Sequence, residues 1–215
     1  MLAPAKRSYV PHRRRPKVSN DALHVTVHVI DGLPNLRGEQ AHARIVEAIR
    51  KAQEHFGCRV IEYSVLSNHL HLIVEAQDES KLAQAMKGLL VRIVRALNSL
   101  WKRKGSIFRE RYHARVVRTM NEIRRAMRYV LLNARKHGIG IPKDTPDPCS
   151  SAPWFQRWRG REWSPFRSDA SPVARPRTLN MDTALYGLTL DLNEVPGKVA
   201  GWTMECSWEE LGLTT

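Results

Sequence analysis

The sequence predicts an α+β domain built on a four-stranded antiparallel sheet, and three observations predict it. Short runs rich in β-branched residues indicate strands, longer segments with apolar residues at helical spacing indicate helices, and the two kinds alternate along the chain. The 215 residues are enough for one domain with a substantial core and an appendage. No apolar run approaches the roughly 20 residues that span a bilayer, so no membrane partner is expected.

The first predicted elements are a strand and a helix. Residues 24–30 are rich in β-branched side chains and predict a strand, which the turn residues 31–34 end. Over residues 39–56 apolar side chains recur at helical spacing, and Gly57 closes this predicted helix.

A hairpin and a long helix follow. Strands are predicted over residues 59–66 and 69–75, joined by Ser67 and Asn68. The capping sequence 78–80 starts a helix that ends at Lys104-Gly105. Its apolar face consists of Leu82, Met86, Leu89, Leu90, Ile93, Val94, Leu97, Leu100 and Trp101.

A last strand and a last helix complete the predicted core. Residues 107–118 are strand-like, and Thr119 can cap a helix that runs to about Lys136, with Gly138 beyond it. The order β-α-β-β-α-β-α is that of the ferredoxin-like split βαβ fold with one extra C-terminal helix. We therefore expect an antiparallel sheet with two helices on one face.

Two segments flank the predicted core domain of residues 24–138. Residues 1–23 contain three consecutive arginines followed by proline, and we expect a disordered basic arm. Residues 139–215 hold eight of the 12 prolines and five of the six tryptophans, which predicts an irregular appendage that wraps the core or is partly disordered. No periodicity is recognisable from Leu179 onward.

The three cysteines, Cys58, Cys149 and Cys206, are widely spaced and form no Cys-x-x-Cys pair. This spacing argues against a disulfide framework and against a cysteine zinc site, and it is typical of isolated thiols in a reducing compartment. We expect a cytoplasmic protein.

The positive charge of the chain is concentrated in one region. The whole chain carries a formal charge of +14, and residues 87–136 hold 15 lysines and arginines against two acidic residues, a net charge of +13. Such a surface most often neutralises phosphates and releases their counterions, which favours nucleic acid over an anionic membrane as the partner. A nucleic-acid partner places the protein at the nucleoid.

The pair His69-x-His71 lies within an aliphatic run that predicts a strand. Because side chains alternate along a strand, both imidazoles share one face and can converge on one divalent ion. Two partly buried structural histidines are the alternative. Acidic residues are scarce nearby, which argues against a carboxylate-rich two-metal nuclease centre.

Tyr129 and Asn133 lie one turn apart on the last predicted helix, flanked by Arg125 and Lys136. In a helical projection the apolar stripe lies on another side, so Tyr129 is expected to point away from the packing face. A phenol can attack phosphorus when a metal polarises the phosphate and cations favour the phenolate. A tyrosine used only for packing is the alternative.

These motifs together resemble the single-tyrosine HUH transposases, which are the enzymes of insertion-sequence 200-like elements and the REP-associated tyrosine transposases. The run 67–74 followed by Tyr129 and Asn133 carries the resemblance. Five further segments are similar to the REP-associated branch: residues 24–27, 31–34, 111–115, 133–138 and 150–155. The match covers roughly residues 20–178, and the chain from Leu179 onward departs from the family's usual ending.

The resemblance implies a role for each of these residues. His69 and His71, with Asn133 as third ligand, would hold Mg²⁺ or Mn²⁺ against the scissile phosphate. Tyr129 would be the nucleophile, forming a 5′-phosphotyrosine link and releasing a 3′-hydroxyl without ATP. The substrate would be single-stranded DNA folded as a hairpin, bound by a monomer or a homodimer. The candidate DNA-binding residues are Arg92, Arg95, Arg115, Arg118, Arg125 and Lys136.

Two other functions stay open at this point. One is a non-catalytic hairpin-binding relative, although an intact set of His69, His71 and Tyr129 argues against decay. The other is a histidine-based nucleotide hydrolase, which lacks a further spaced histidine on the strand and leaves the basic surface unexplained.

Overall fold

A computed structural model describes residues 16–53, 57–162, 165–167 and 169–196. The core elements are β1 (Ser19–His28), α1 (Glu39–Ala52), β2 (Cys58–Val65), β3 (His69–Asp78), α2 (Glu79–Leu100), β4 (His113–Val117) and α3 (Met120–Lys136). Two very short strands and a helix follow: β5 (Arg157–Trp158), β6 (Arg161–Glu162) and α4 (Leu179–Tyr186).

The first four strands form one antiparallel sheet in the order β2-β3-β1-β4. Helices α1 and α2 pack together on one face, where they share a core with the apolar side chains of β1, β2 and β3. Helix α3 covers the opposite face and forms a second core with the C-terminal segment. The predicted α+β class, the order of the core elements along the chain and the antiparallel sheet with two helices on one face are confirmed.

Alternation along β3 divides its side chains between the two faces. Leu70, Leu72 and Val74 belong to the core under α1 and α2, whereas Ile73 belongs to the core under α3. His71 therefore lies on the α3 face, where its ring contacts that of Tyr129.

The N-terminal part of β1 corrects one prediction. The strand begins at Ser19 rather than at His24, so residues 19–23 are not part of a disordered arm. Ser19 pairs with Asp78 and Asp21 with Ala76, because β3 also continues past Glu75 and provides a partner for these positions. Residues 1–15 of the predicted arm lie outside the described residues.

Two other predicted elements are shorter than expected. Only His113–Val117 of the strand-like segment 107–118 forms β4. Residues 107–109 instead bond the end of β1, where the Arg109 amide donates to the His28 carbonyl at 3.0 Å. Helix α1 ends at Ala52, and residues 54–56 of its predicted extent lie outside the described residues.

The C-terminal segment up to residue 196 packs against α3 and the edge of β2. Its buried apolar side chains include Phe155, Trp158 and Leu190, which join the core of α3. Helix α4 within it was not predicted, because its eight residues are too few for a recognisable periodicity. The remaining residues of the predicted appendage, 197–215, lie outside the described part of the chain.

Buried carboxylates tie this segment to the loop before α1 and to the sheet. Asp147 accepts two hydrogen bonds from the Arg37 guanidinium, at 2.7 and 2.9 Å. Glu75 on β3 accepts from the backbone amide and the hydroxyl of Thr178, at 2.9 and 2.7 Å. The segment is thus held by charge-assisted hydrogen bonds as well as by apolar burial.

Cys58 and Cys149 are buried free thiols, and Cys206 lies outside the described residues. None of the described helices combines the length and the apolar character needed to cross a membrane.

Candidate active site

Four histidines form an array on the α3 face of the sheet. His28 of β1 pairs with His69 of β3, and their rings stack with centroids 4.9 Å apart. His24 stacks on His71 at 5.1 Å, and His69 meets His71 at 4.8 Å. The local sequence pattern indicates only the two β3 histidines. His24, Thr26 and His28 alternate along β1 and so share one face of the sheet. Only the pairing of β1 with β3 places this face of β1 next to His69 and His71.

The Nδ1 atoms of both β3 histidines are held by hydrogen bonds. His69 Nδ1 lies 2.7 Å from Asn68 Oδ1, which can only accept, so this nitrogen carries the proton and Nε2 keeps its lone pair. His71 Nδ1 lies 3.1 Å from His24 Nε2 and 3.1 Å from Thr26 Oγ1. His71 Nε2 is buried and makes no hydrogen bond within the described part of the chain.

Burial keeps these imidazoles neutral. It lowers the pKa of His69 to about 3, with smaller contributions from His28 and His137. Burial also lowers the pKa of His24 to about 3 and that of His71 well below its ordinary value. Neutral imidazole is the form that binds metal ions.

Helix α3 brings three further side chains over the histidine array. Tyr129 meets the His71 ring nearly perpendicularly at a centroid distance of 5.3 Å, and His137 meets His69 at 5.4 Å. Asn133 lies midway between Tyr129 and His137 at helical spacing and is fully buried. The Thr119–Glu122 capping box begins this helix.

Tyr129 is buried, which corrects its predicted orientation. The side chain is only 4% exposed, although the projection placed it away from the packing face. The reason is that α3 is covered twice, by the sheet on one side and by the C-terminal segment on another. The apolar stripe therefore identifies only one of the two buried faces of α3. Tyr129 and Asn133 lie on the other buried face, which covers the histidine array.

The donor set fits a divalent metal ion. His71 Nε2 and both amide atoms of Asn133 are buried polar atoms without a hydrogen-bond partner among the described residues, which is costly unless a ligand satisfies them. No three histidine, cysteine, aspartate or glutamate side chains in the described ranges form a metal-binding group. The fit therefore depends on two imidazoles and the Asn133 amide oxygen together.

Comparison with known proteins identifies the family. The family model described as "Transposase IS200 like" matches residues 17–132, more than half of the chain. The chain belongs to the IS200-like transposase family. Members of this family act on DNA and generally use a divalent metal ion.

One solved structure shows the same fold, and a second solved structure is a weaker match. A REP-associated tyrosine transposase bound to a REP hairpin matches with a TM-score of 0.58 and 19% identity, covering 79% of this chain and all of that one. A protein classed as a transposase from Deinococcus radiodurans R1 matches with a TM-score of 0.40 and 15% identity, covering 65% of this chain and all of that one. No curated protein gives a significant match.

Two of the predicted DNA-binding residues lie close to the histidine array of this transposase. Arg115 on β4 pairs with His24 and forms an ion pair with Glu122 at 3.4 Å. The Lys136 ammonium lies 4.6 Å from the centroid of the Tyr129 ring. Both place positive charge at the proposed reaction centre.

The other four predicted residues lie farther from the centre or on another layer. Arg118 follows β4 and approaches Asp21 at 3.6 Å, and Arg125 is exposed on α3. Arg92 and Arg95 are on α2, which packs on the opposite face of the sheet from Tyr129. The structure therefore does not bring all six residues together.

Proposed function

We propose that this transposase cleaves and rejoins single-stranded, hairpin-bearing DNA in a metal-dependent reaction, with Tyr129 as the nucleophile. The observation that carries this proposal is the placement of the Tyr129 ring against His71, with Asn133 one turn further along the same face of α3. A tyrosine that served only for packing would not require buried polar atoms without hydrogen-bond partners beside it. Among the described residues, such atoms are the Asn133 amide atoms on α3 and His71 Nε2 on β3.

In the proposed step, Tyr129 Oη attacks the phosphorus of one phosphodiester and loses its proton. The bond between phosphorus and the 3′-oxygen breaks, the 3′-hydroxyl leaves with a proton, and a 5′-phosphotyrosine link forms. One phosphoester replaces another, so a 3′-hydroxyl can reverse the reaction and rejoin DNA without ATP.

His69, His71 and Asn133 would hold the ion, which when bound supplies Lewis-acid polarisation of the scissile phosphate. The side chains supply the rest of the environment. The Lys136 ammonium near the Tyr129 ring stabilises the negative charge that develops on the phenol oxygen. Burial keeps His69 and His71 neutral, so no proton competes for the ligand nitrogens.

The proposed substrate follows from charge and from the solved relative. Net positive charge concentrated over residues 87–136 suits phosphate contacts, and the relative of similar fold was solved with a REP hairpin. Arg115, Arg118 and Arg125 would contact the strand that enters the site. Arg92 and Arg95 would contact DNA only where it passes the α2 layer.

The test is formation of a covalent adduct. The full chain is incubated with labelled single-stranded hairpin DNA and Mn²⁺, and a denaturation-resistant protein–DNA band is expected from the wild type. Tyr129→Phe should abolish the band. Tyr186→Phe is the matched control, because Tyr186 is 78% exposed on α4 and should leave the adduct unchanged.

Three outcomes decide the proposal. Equal adduct from Tyr129→Phe would show that another group is the nucleophile. Full cleavage by His69→Ala and His71→Ala at limiting Mn²⁺ would contradict the ligand assignment. Hairpin binding by the wild type without any adduct would favour a non-catalytic binding protein.

A further inference from the structure

The two ring nitrogens of His71 lie in different surroundings. Nδ1 is 3.1 Å from His24 Nε2 and 3.1 Å from Thr26 Oγ1. Nε2 is buried and has no hydrogen-bond partner within the described residues. A neutral imidazole carries its single proton on one nitrogen only, so these surroundings decide which one.

Strand β1 supplies both partners of Nδ1. Thr26 is directly opposite His71 in the sheet register, and His24 is two residues away on the same face. The His24 and His71 rings lie within 24° of parallel, and both are buried. The β-branched Thr26 has few rotamers, and His24 is packed between His71 and Tyr129, so neither partner is free to turn away.

This arrangement favours the tautomer of His71 with the proton on Nδ1. In that form N–H donates to His24 Nε2 or to Thr26 Oγ1, and Nε2 has an available lone pair. In the other form Nε2–H would be a buried donor with no acceptor among the described residues, which is energetically costly. A lone pair on Nε2 is what a metal ligand requires.

We propose that His24 and Thr26 are positioning residues that hold His71 with its Nδ1 protonated and present its Nε2 to the divalent ion. This inference rests on the proposed function for the identity of His71 as a ligand. It extends the site from His69 and His71 on β3 to His24 and Thr26 on the neighbouring strand β1. His69 is oriented separately, by Asn68 next to it in the chain.

The first test measures Mn²⁺ affinity of the full chain without DNA, by titration of the free-ion EPR signal. The double variant His24→Leu/Thr26→Val should bind Mn²⁺ about tenfold to a hundredfold more weakly than the wild type, as for other groups that orient a ligand histidine. His24→Gln should restore most of the affinity, because the amide oxygen can accept from Nδ1. His42→Leu is the matched control: it removes a partly buried imidazole on α1, which packs on the opposite face of the sheet, where its ring lies near that of Tyr63.

The second test reads the tautomer directly. The ¹⁵N chemical shifts of His71 in the metal-free wild type should show a protonated Nδ1, and this measurement does not depend on how the variants fold. A proton on Nε2, or unchanged Mn²⁺ affinity in a folded double variant, would overturn the inference. An equal loss of affinity in His42→Leu would also overturn it. A wild type that binds no Mn²⁺ contradicts the proposed function instead, and the tautomer then decides the inference alone.

Discussion

Glu62 is expected to make the stability of this protein depend on pH. Its side chain on β2 is only 7% exposed and accepts a hydrogen bond from the Ser151 hydroxyl, which attaches the C-terminal segment to the sheet. Burial raises the pKa of Glu62 from 4.5 to about 8, and the bond from Ser151 opposes this only in part. The folded chain therefore keeps a proton that the unfolded chain releases.

The sign and the magnitude follow from this difference in pKa. The contribution of protonated Glu62 to the free energy of unfolding is fully present below pH 4.5 and is lost as pH rises through about 8, for a total of roughly 5 kcal/mol at 1.36 kcal/mol per pKa unit. Roughly 1 kcal/mol of this decline falls between pH 7 and pH 9. The buried histidines act in the opposite direction: in the unfolded chain, with the ordinary pKa of 6.5, they still lose protons just above pH 7, whereas their folded pKa is lower. The contribution of Glu62 is therefore the difference between the wild type and a variant without this carboxyl.

The assay is urea unfolding at pH 7, 8 and 9, followed by circular dichroism. Glu62→Gln keeps the size of the side chain and an acceptor for Ser151 but has no charge, so its free energy of unfolding should decline by roughly 1 kcal/mol less than that of the wild type between pH 7 and pH 9. Glu47→Gln is the control, because Glu47 is on the exposed side of α1 and its pKa is lowered by Lys51 and Arg50. The reasoning is refuted if Glu62→Gln retains the decline of the wild type.

Three further predictions concern the site and its supports. Asn133→Leu should keep or raise the free energy of unfolding, by up to about 3 kcal/mol, because it removes unsatisfied amide atoms. The same variant should lose the covalent adduct, and unchanged adduct would contradict the ligand role. Arg37→Ala should cost about 3–5 kcal/mol in urea unfolding because Asp147 stays buried and unpaired, and adding Asp147→Ala should recover part of it. Lys136→Ala should slow adduct formation on bound DNA, whereas Arg92→Ala should only weaken hairpin binding and its salt dependence. Rates that change equally in the two variants would contradict this division.

Much of the fold could be predicted because the signals are local. The β-branched runs, the helical spacing and the capping residues Asp78 and Thr119 each depend on neighbours within a few positions. The predictions failed where a distant partner decided the outcome. Ser19 is in a strand because Asp78 is across from it, and residues 107–112 are mostly outside the sheet although their composition is strand-like.

The sequence by itself determined that His69 and His71 share a strand face and that Tyr129 and Asn133 share a helix face, because both periods are properties of the local backbone. Only the tertiary structure decided that these two faces meet and that Tyr129 is buried. It also decided that His24 and Thr26 lie at hydrogen-bond distance from His71 Nδ1. Strand register and helix packing join residues tens of positions apart, and no local pattern specifies them.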